Sequence, residues 1–422
     1  MPQHHEEEKH WEKDEGDDFI APQHEPDLAG DLHTKHMHIS LGPSHPATHG
    51  TVQIKVELDG ETIVKSDTTV GYLHRGFEKS CEQVTWTQCF PYTDRLNYVS
   101  PLMNNVGYAL AVEKLLGIHT KLPERAQYLR VIASEVSRIT DHLTSSAAQA
   151  MELGGLTAFF YCVEARERLW DRIEELCGAR MTTSWCRVGG AAQDAPEGWT
   201  ERVLETLDWG MAKVDDLEKL VRRNRIFVDR MVGVGVMSAE DAVNCGWTGP
   251  SLRGSGVPYD VRKAMPYLGY DRFKFDIPVG VKGDCYDRFI CRLEEMRESR
   301  KIVQQAVAQL PKGPVLVDDP NIALPGKNNV YYSIEGLISH FKIIMEGIHV
   351  PAGEGYSYTE AANGELGFYL VSDGGGRGWK VRCRPPCFIL TSTLDQLIKG
   401  QMLPDIVPIF DSINMIGGEC DR

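Results

Sequence analysis

The chain has 422 residues, enough for a large core and for two or three domains, and its composition is that of an ordinary globular protein. No stretch offers about 18 apolar residues free of charge, so none is expected to span a membrane. The formal net charge is −15, and residues 1–38 hold −8 of it (eleven Asp/Glu less three Lys), which argues against nucleic-acid binding. The eleven cysteines include no C-x-x-C, Cys383 and Cys387 being the nearest pair, so free thiols are expected. The acidic N-terminus has no apolar run and reads as neither a secretory signal nor an arginine-rich transit peptide, which points to a bacterial cytoplasmic protein.

Residues 1–35 are rich in His, Asp, Glu and Pro, and are expected to form a disordered arm or one draped on a neighbour. His4, His5 and His10 in it match no structural zinc spacing. His36–Leu41 is short and extended in character, and Gly42-Pro-Ser-His-Pro-Ala-Thr-His-Gly50 follows. Its prolines and glycines oppose a helix, so His45 and His49 do not form the one-faced pair of a zinc helix. These histidines either cap backbone groups or present an imidazole from a rigid loop. Thr51–Leu58 alternates like a half-buried strand, Asp59-Gly60 reads as a hairpin turn, and Ile63-Val64 lies in the return strand.

Helical periodicity then takes over. Helices are predicted from about Leu102 to Gly117, from Pro123 (with Leu129, Ile132, Val136, Ile139 and Leu143 on one face), and over Ala158–Leu176, Glu197–Asn224 and Asp284–Leu310. Gly154-Gly155 interrupts the second helix or follows its end, and the apolar stripes are read as core. Period two returns at Tyr356–Thr359 and Leu366–Val371 around Asn363-Gly364, and Val381–Arg384 adds a candidate strand. Leu403–Arg422 looks helical before looping out. Asp373–Gly378 is glycine-rich but lacks the P-loop lysine and the strand–turn–helix context of a nucleotide site. The expected class is α+β: a long-helix bundle with a small antiparallel sheet built from both ends of the chain. The divisions are an arm (1–35), a sheet with the His49 loop (36–72), a helical core (73–350), a hairpin region (351–385) and a C-terminal helix and tail (386–422).

Several segments, in one order, carry a resemblance: Gly42–Gly50, Gly71-Tyr-Leu-His-Arg-Gly-Phe-Glu-Lys79, Pro91-Tyr-Thr-Asp-Arg-Leu-Asn-Tyr-Val-Ser100, Gly154–Phe160, Ser251–Lys263, Gly364–Gly375 and Gly417–Arg422. From about residue 36 onward the chain resembles the quinone-site, D-type subunit of the peripheral arm of respiratory complex I (NADH:quinone oxidoreductase). The resemblance implies a chamber in which ubiquinone or menaquinone is reduced, in a complex that translocates protons. Quinone reduction needs two electrons and two protons, and the resemblance gives the donor roles to Tyr98 and His49. A phenol (reference pKa ~10) and an imidazole (~6.5) suit them. The family has an acidic residue hydrogen-bonded to this histidine. Glu152 stands at that position, where Asp is usual.

The electron donor implied is a [4Fe–4S] cluster on a neighbouring small subunit, since this chain has no cysteine set to ligate one. Arg75 matches an arginine that approaches the cluster, and Thr182 stands where the family usually has a histidine near it. The other partners implied are a C-like neighbouring subunit and the membrane-arm quinone-channel subunit, with peripheral attachment at the cytoplasmic face of the bacterial inner membrane. The fold family includes the large subunit of nickel–iron hydrogenases, which needs two C-x-x-C pairs. Here Leu73–Gly76 has no cysteine and the C-terminal counterpart keeps only Cys420, so neither nickel nor iron is expected. Two rival readings are a non-catalytic hydrogenase-like scaffold and a quinone-site protein fed by a donor other than NADH.

Overall fold

The computed structural model describes residues 36–422, so the acidic arm, with His4, His5 and His10, lies outside the described residues. Strands β1 (Met37–Leu41), β2 (Gln53–Asp59) and β3 (Thr62–Thr69) form an antiparallel sheet in that order. β2 buries Ile54, Val56 and Leu58 and turns Lys55 and Glu57 outward, as period-two alternation requires.

Five long helices form the core: α1 (Pro101–Leu115), α2 (Glu124–Glu152), α3 (Leu156–Cys177), α4 (Trp199–Arg222) and α5 (Cys285–Ala308). They fall where the periodicity puts them, with ends moved by one or two residues. Pro101 opens α1 in the first turn, where a missing N–H costs nothing. Gly178, at φ 79°, closes α3 by donating its N–H to Glu174. α2 is the central element and packs against α1, α3 and α5. It is buried nearly all round, so its polar residues face neighbours instead of water. Glu135 accepts from Arg262 Nη1 (3.1 Å), Arg138 Nε (3.2 Å), Tyr270 Oη (2.7 Å) and Ser299 Oγ (2.6 Å). Arg253 bridges Glu295 and Glu360 at 2.7 and 2.8 Å, and His142 Nε2 lies 2.9 Å from Glu295.

The second sheet comprises β4 (Gly353–Ala361), β5 (Gly364–Ser372) and β6 (Lys380–Arg384), again antiparallel and in sequence order. α1 lies on it, and a Cβ at Gly107 would meet Thr359 Oγ1 at 2.9 Å, so glycine permits the close approach. The α+β class is as expected, but the two ends of the chain build two sheets, not one. The outer edge of β3 is taken by a later segment: Ile63 N donates to Gln401 O (2.9 Å) and Gly400 N to Ile63 O (2.8 Å). Beyond β6, Cys383 N is held by Glu78 Oε1 at 2.9 Å.

Helix α6 (Ile334–Met345) leaves Ile334, Leu337 and Phe341 more than half exposed. No helix of the described residues is long and apolar enough to cross a membrane. The helix expected over 403–422 is broken into α7 (Ile406–Ser412) and α8 (Gly417–Asp421). Asn414, left-handed at φ 51°, makes the break while its side chain donates to Asp141 and Asn363 inside the core.

Candidate functional site

The loop between β1 and β2 is locked from within. Thr48 Oγ1 donates to His45 O (3.1 Å), and Thr51 Oγ1 donates to Thr48 O (3.3 Å). Gly42 has φ 85°, and a Cβ there would fall 2.2 Å from Val52 O. His45 takes the capping role, its Nδ1 accepting from Ala47 N at 3.2 Å. His49 closes the 3-10 turn Pro46–Thr48 in the left-handed region, at φ 53°. That leaves its ring to be presented. The ring meets Phe410 edge-on (centroids 5.7 Å apart), and its Nε2 lies 3.9 Å from Asp411 Oδ1. Burial lowers the basicity of His49, and a hydrogen bond to the Met415 backbone and the charge of Glu152 pull the other way without cancelling it.

The structure thus brings His49 and Glu152 into electrostatic reach, at the loop and at the last residue of α2. The carboxylate within ion-pair distance of the ring is that of Asp411, and no hydrogen bond joins Glu152 to His49 among the described residues. Asp411 lies on α7 and is buried, with neither oxygen hydrogen-bonded among the described residues. Burial, reinforced by Glu152, raises its pKa well above the carboxylate range.

Tyr98 stands on a loop pinned at both ends. Asp141 Oδ2 accepts from Asn97 Nδ2 (2.7 Å) and Ser100 Oγ (2.8 Å), and Asp94 accepts from Asn105 Nδ2 (2.7 Å) and Ser184 N (3.0 Å). The Tyr98 ring packs on the core, and burial first, then Cys387 and Asp141, raise its pKa against the opposing charge of Arg75. The phenol therefore carries its proton at neutral pH. Arg75 Nη2 donates to Arg95 O (2.9 Å) and Gly418 O (2.7 Å), which fixes the guanidinium near Tyr98. Thr182 is exposed, two residues before Ser184, whose bond to Asp94 ties the Thr182 loop to the Tyr98 loop.

The last twelve residues join these parts. Asp411 and Met415 meet His49, and Gly417 lies against Thr51, where a Cβ would fall 2.8 Å from its Cγ2. Gly418 lies against Arg95 and Leu96, at 2.7 Å on the same measure. Asp421 accepts from Gly71 N and Leu73 N at 3.0 and 2.8 Å. An open cleft of about 390 Å³ runs beside this junction, between Gly71–Lys79 and Cys420–Arg422. Among the described residues no group of three or more His, Cys, Asp or Glu is gathered to hold a metal ion.

Two site groups escaped the sequence reading. Asp411 is the single charge between Ile406 and Ile416, and an acid in so apolar a run was the signal available. Glu419 is also buried, accepting from Cys387 Sγ at 3.1 Å, and burial pushes it up to about 7.

A presented imidazole, a protonated phenol and a fixed cation thus share one C-terminal spine. Comparison with known proteins gives the family. Residues 152–422 match the family model described as respiratory-chain NADH dehydrogenase, 49 kDa subunit. The D-type subunit of the NADH-quinone oxidoreductase of Myxococcus xanthus is 60% identical over 96% of this chain and 97% of its own length. A D-type subunit of the same enzyme from Sorangium cellulosum is 59% identical over 93% and 97%. The combined C/D-type subunit of Bdellovibrio bacteriovorus is 49% identical over 94% of this chain and 71% of its own length. The chain belongs to the 49 kDa subunit family and is an oxidoreductase component of complex I, with other complex I subunits as its partners.

Proposed function

We propose that this chain forms one wall of the quinone-reduction chamber, in which Tyr98 and His49 supply the two protons. The observation that carries the reading is the C-terminal spine: it touches His49 through Asp411 and Met415, and the Tyr98 loop and Arg75 through Gly418. Electrons would come from a [4Fe–4S] cluster on the neighbouring small subunit, near which the family resemblance puts Arg75 and Thr182. Tyr98 keeps its proton until a reduced quinone oxygen, a far stronger base, takes it. Its hydroxyl has no hydrogen bond among the described residues and is free for a quinone. Met151, Leu156 and Phe160 are exposed around Glu152, and this apolar rim suits a quinone tail and a neighbouring subunit. The substrate is ubiquinone or menaquinone. The C-like and membrane-arm subunits complete the chamber at the cytoplasmic face of the inner membrane, and the whole complex couples the reaction to proton translocation.

Tyr98→Phe removes one hydroxyl with little change of volume. In the assembled complex it should lower quinone reductase activity about a hundredfold and leave NADH oxidation by an artificial acceptor intact. His49→Ala should behave alike. Unchanged quinone turnover in either variant would remove that residue from its donor role.

A further inference from the structure

A neutral imidazole holds one proton, and giving it to a quinone oxygen would leave an imidazolate unless the ring were refilled in the same step. Asp411 is placed to refill it. Its Oδ1 lies 3.9 Å from His49 Nε2, and contacts of this kind tighten when substrate binds. Neither carboxyl oxygen has a hydrogen-bond partner among the described residues, although the residue is only 4% exposed. A carboxyl kept for structure would be bonded.

The neighbouring elements leave it unneutralised. From α5, Arg288 is engaged by Ser412 Oγ (3.0 Å), Gly283 O (2.9 Å) and Gly235 O (2.8 Å). From the end of α2, Glu152 adds a negative charge that opposes ionisation of Asp411. From the β1–β2 loop comes His49 itself. An acid in such surroundings retains its proton.

We propose that Asp411 is the proton store of the quinone site, a positioning residue that refills His49 as the ring passes its proton on. The inference rests on the reading of His49 as a donor. In the step, the Asp411 O–H bond breaks and an N–H bond forms at His49 Nε2. The ring's other N–H, which the Met415 carbonyl holds in the resting site, is released: that N–H bond breaks and an O–H bond forms on the quinone oxygen that has received the electrons. The ring ends neutral and Asp411 ends as a carboxylate. Buried beside Glu152, that carboxylate is reprotonated from solvent through His49, whose side chain is 35% exposed.

The test uses Asp411→Asn and Asp411→Leu in the assembled complex. Both should lower kcat for quinone about a hundredfold at pH 8, leave the quinone KM unchanged, and recover in part at pH 6, where solvent protonates His49 directly. In a His49→Ala background, Asp411→Asn should add no further loss. Wild-type kcat and pH profile in either Asp411 variant would overturn the proposal while leaving the reading of His49 intact. Full activity in His49→Ala would overturn that reading instead. A second measurement needs no variant to assemble: the infrared spectrum of wild-type complex carrying ¹³C-aspartate should show a protonated aspartic acid C=O band at pH 7. Absence of any such band would also overturn the proposal.

Discussion

Glu135 and Asp411 are both buried acids in one core, and their pKa values move in opposite directions. Burial alone would raise both. Around Glu135, Arg138, Arg262 and the Ser299 and Tyr270 hydroxyls overcome it and hold the pKa down at about 2. Around Asp411 no partner among the described residues does, and burial together with Glu152 raises its pKa well above the ordinary value. The knot on α2 is a set of satisfied charges that fixes the packing of α2 against α5. The group beside His49 is an acid without a hydrogen-bond partner among the described residues, and titratable groups perturbed by burial in this way cluster at functional sites. Partnership, not depth, separates the scaffold from the site.

The comparison breaks most visibly at Glu135. Glu135→Leu leaves Arg138 and Arg262 without their shared carboxylate, a loss worth about 3–5 kcal/mol when a buried pair is broken. Hydrogen exchange of the α2 amides in the assembled complex should speed up accordingly. The pH dependence has a fixed sign. With the folded pKa about 2 and the ordinary value 4.5, the contribution of Glu135 is whole above 4.5 and is lost as pH falls toward 2.

Asp411→Leu should act oppositely and more weakly. It removes an unbonded buried carboxyl, which costs about 1–3 kcal/mol to keep. The folded pKa of Asp411 is raised, so its stabilising share is whole below the ordinary 3.8 and declines as pH rises from there. The gain from Leu should therefore grow with pH, read as slower exchange of the α7 amides. A destabilised Leu variant would mean that Asp411 has a partner after all.

The same contrast explains what the sequence disclosed. Long helices and hairpins were legible because their apolar residues repeat at 3.6 and at 2. The resemblance at Gly42–Gly50 singled out His49, and the prolines there leave one 3-10 turn, Pro46–Thr48, with no α-helix. The knot was not legible. Arg130, Glu135, Arg138 and Asp141 lie off the apolar stripe of α2, and nothing in the stripe shows that α2 is covered on that side too. Pairing between Glu135 and Arg262, 127 residues apart, leaves no local trace. The joining of both ends into one sheet failed for a similar reason, since Gly400–Met402 takes the β3 edge without any strand pattern of its own. Glu152 was singled out through the resemblance; the structure shows its charge acting on His49 and no hydrogen bond between the two among the described residues.

That difference sets the smallest prediction. A charge-assisted bond from Glu152 to His49 would be worth about 1.5–3 kcal/mol. A partly exposed carboxylate acting beyond ion-pair distance is worth about 0.2–1 kcal/mol. Its charge raises the proton affinity of both His49 and Asp411. Glu152→Gln keeps the shape and removes the charge, so both groups should release protons more readily. Quinone reductase activity should fall only about two- to fivefold, most at high pH, and recover at low pH. Salt should mimic the substitution in the wild type and do little in the variant, because a partly exposed charge is screened. A uniform loss across pH would place the damage in the packing around Gly154-Gly155. A loss as deep as that of His49→Ala would show that Glu152 bonds the ring directly in the assembled complex, and the role of proton store would pass from Asp411 to Glu152.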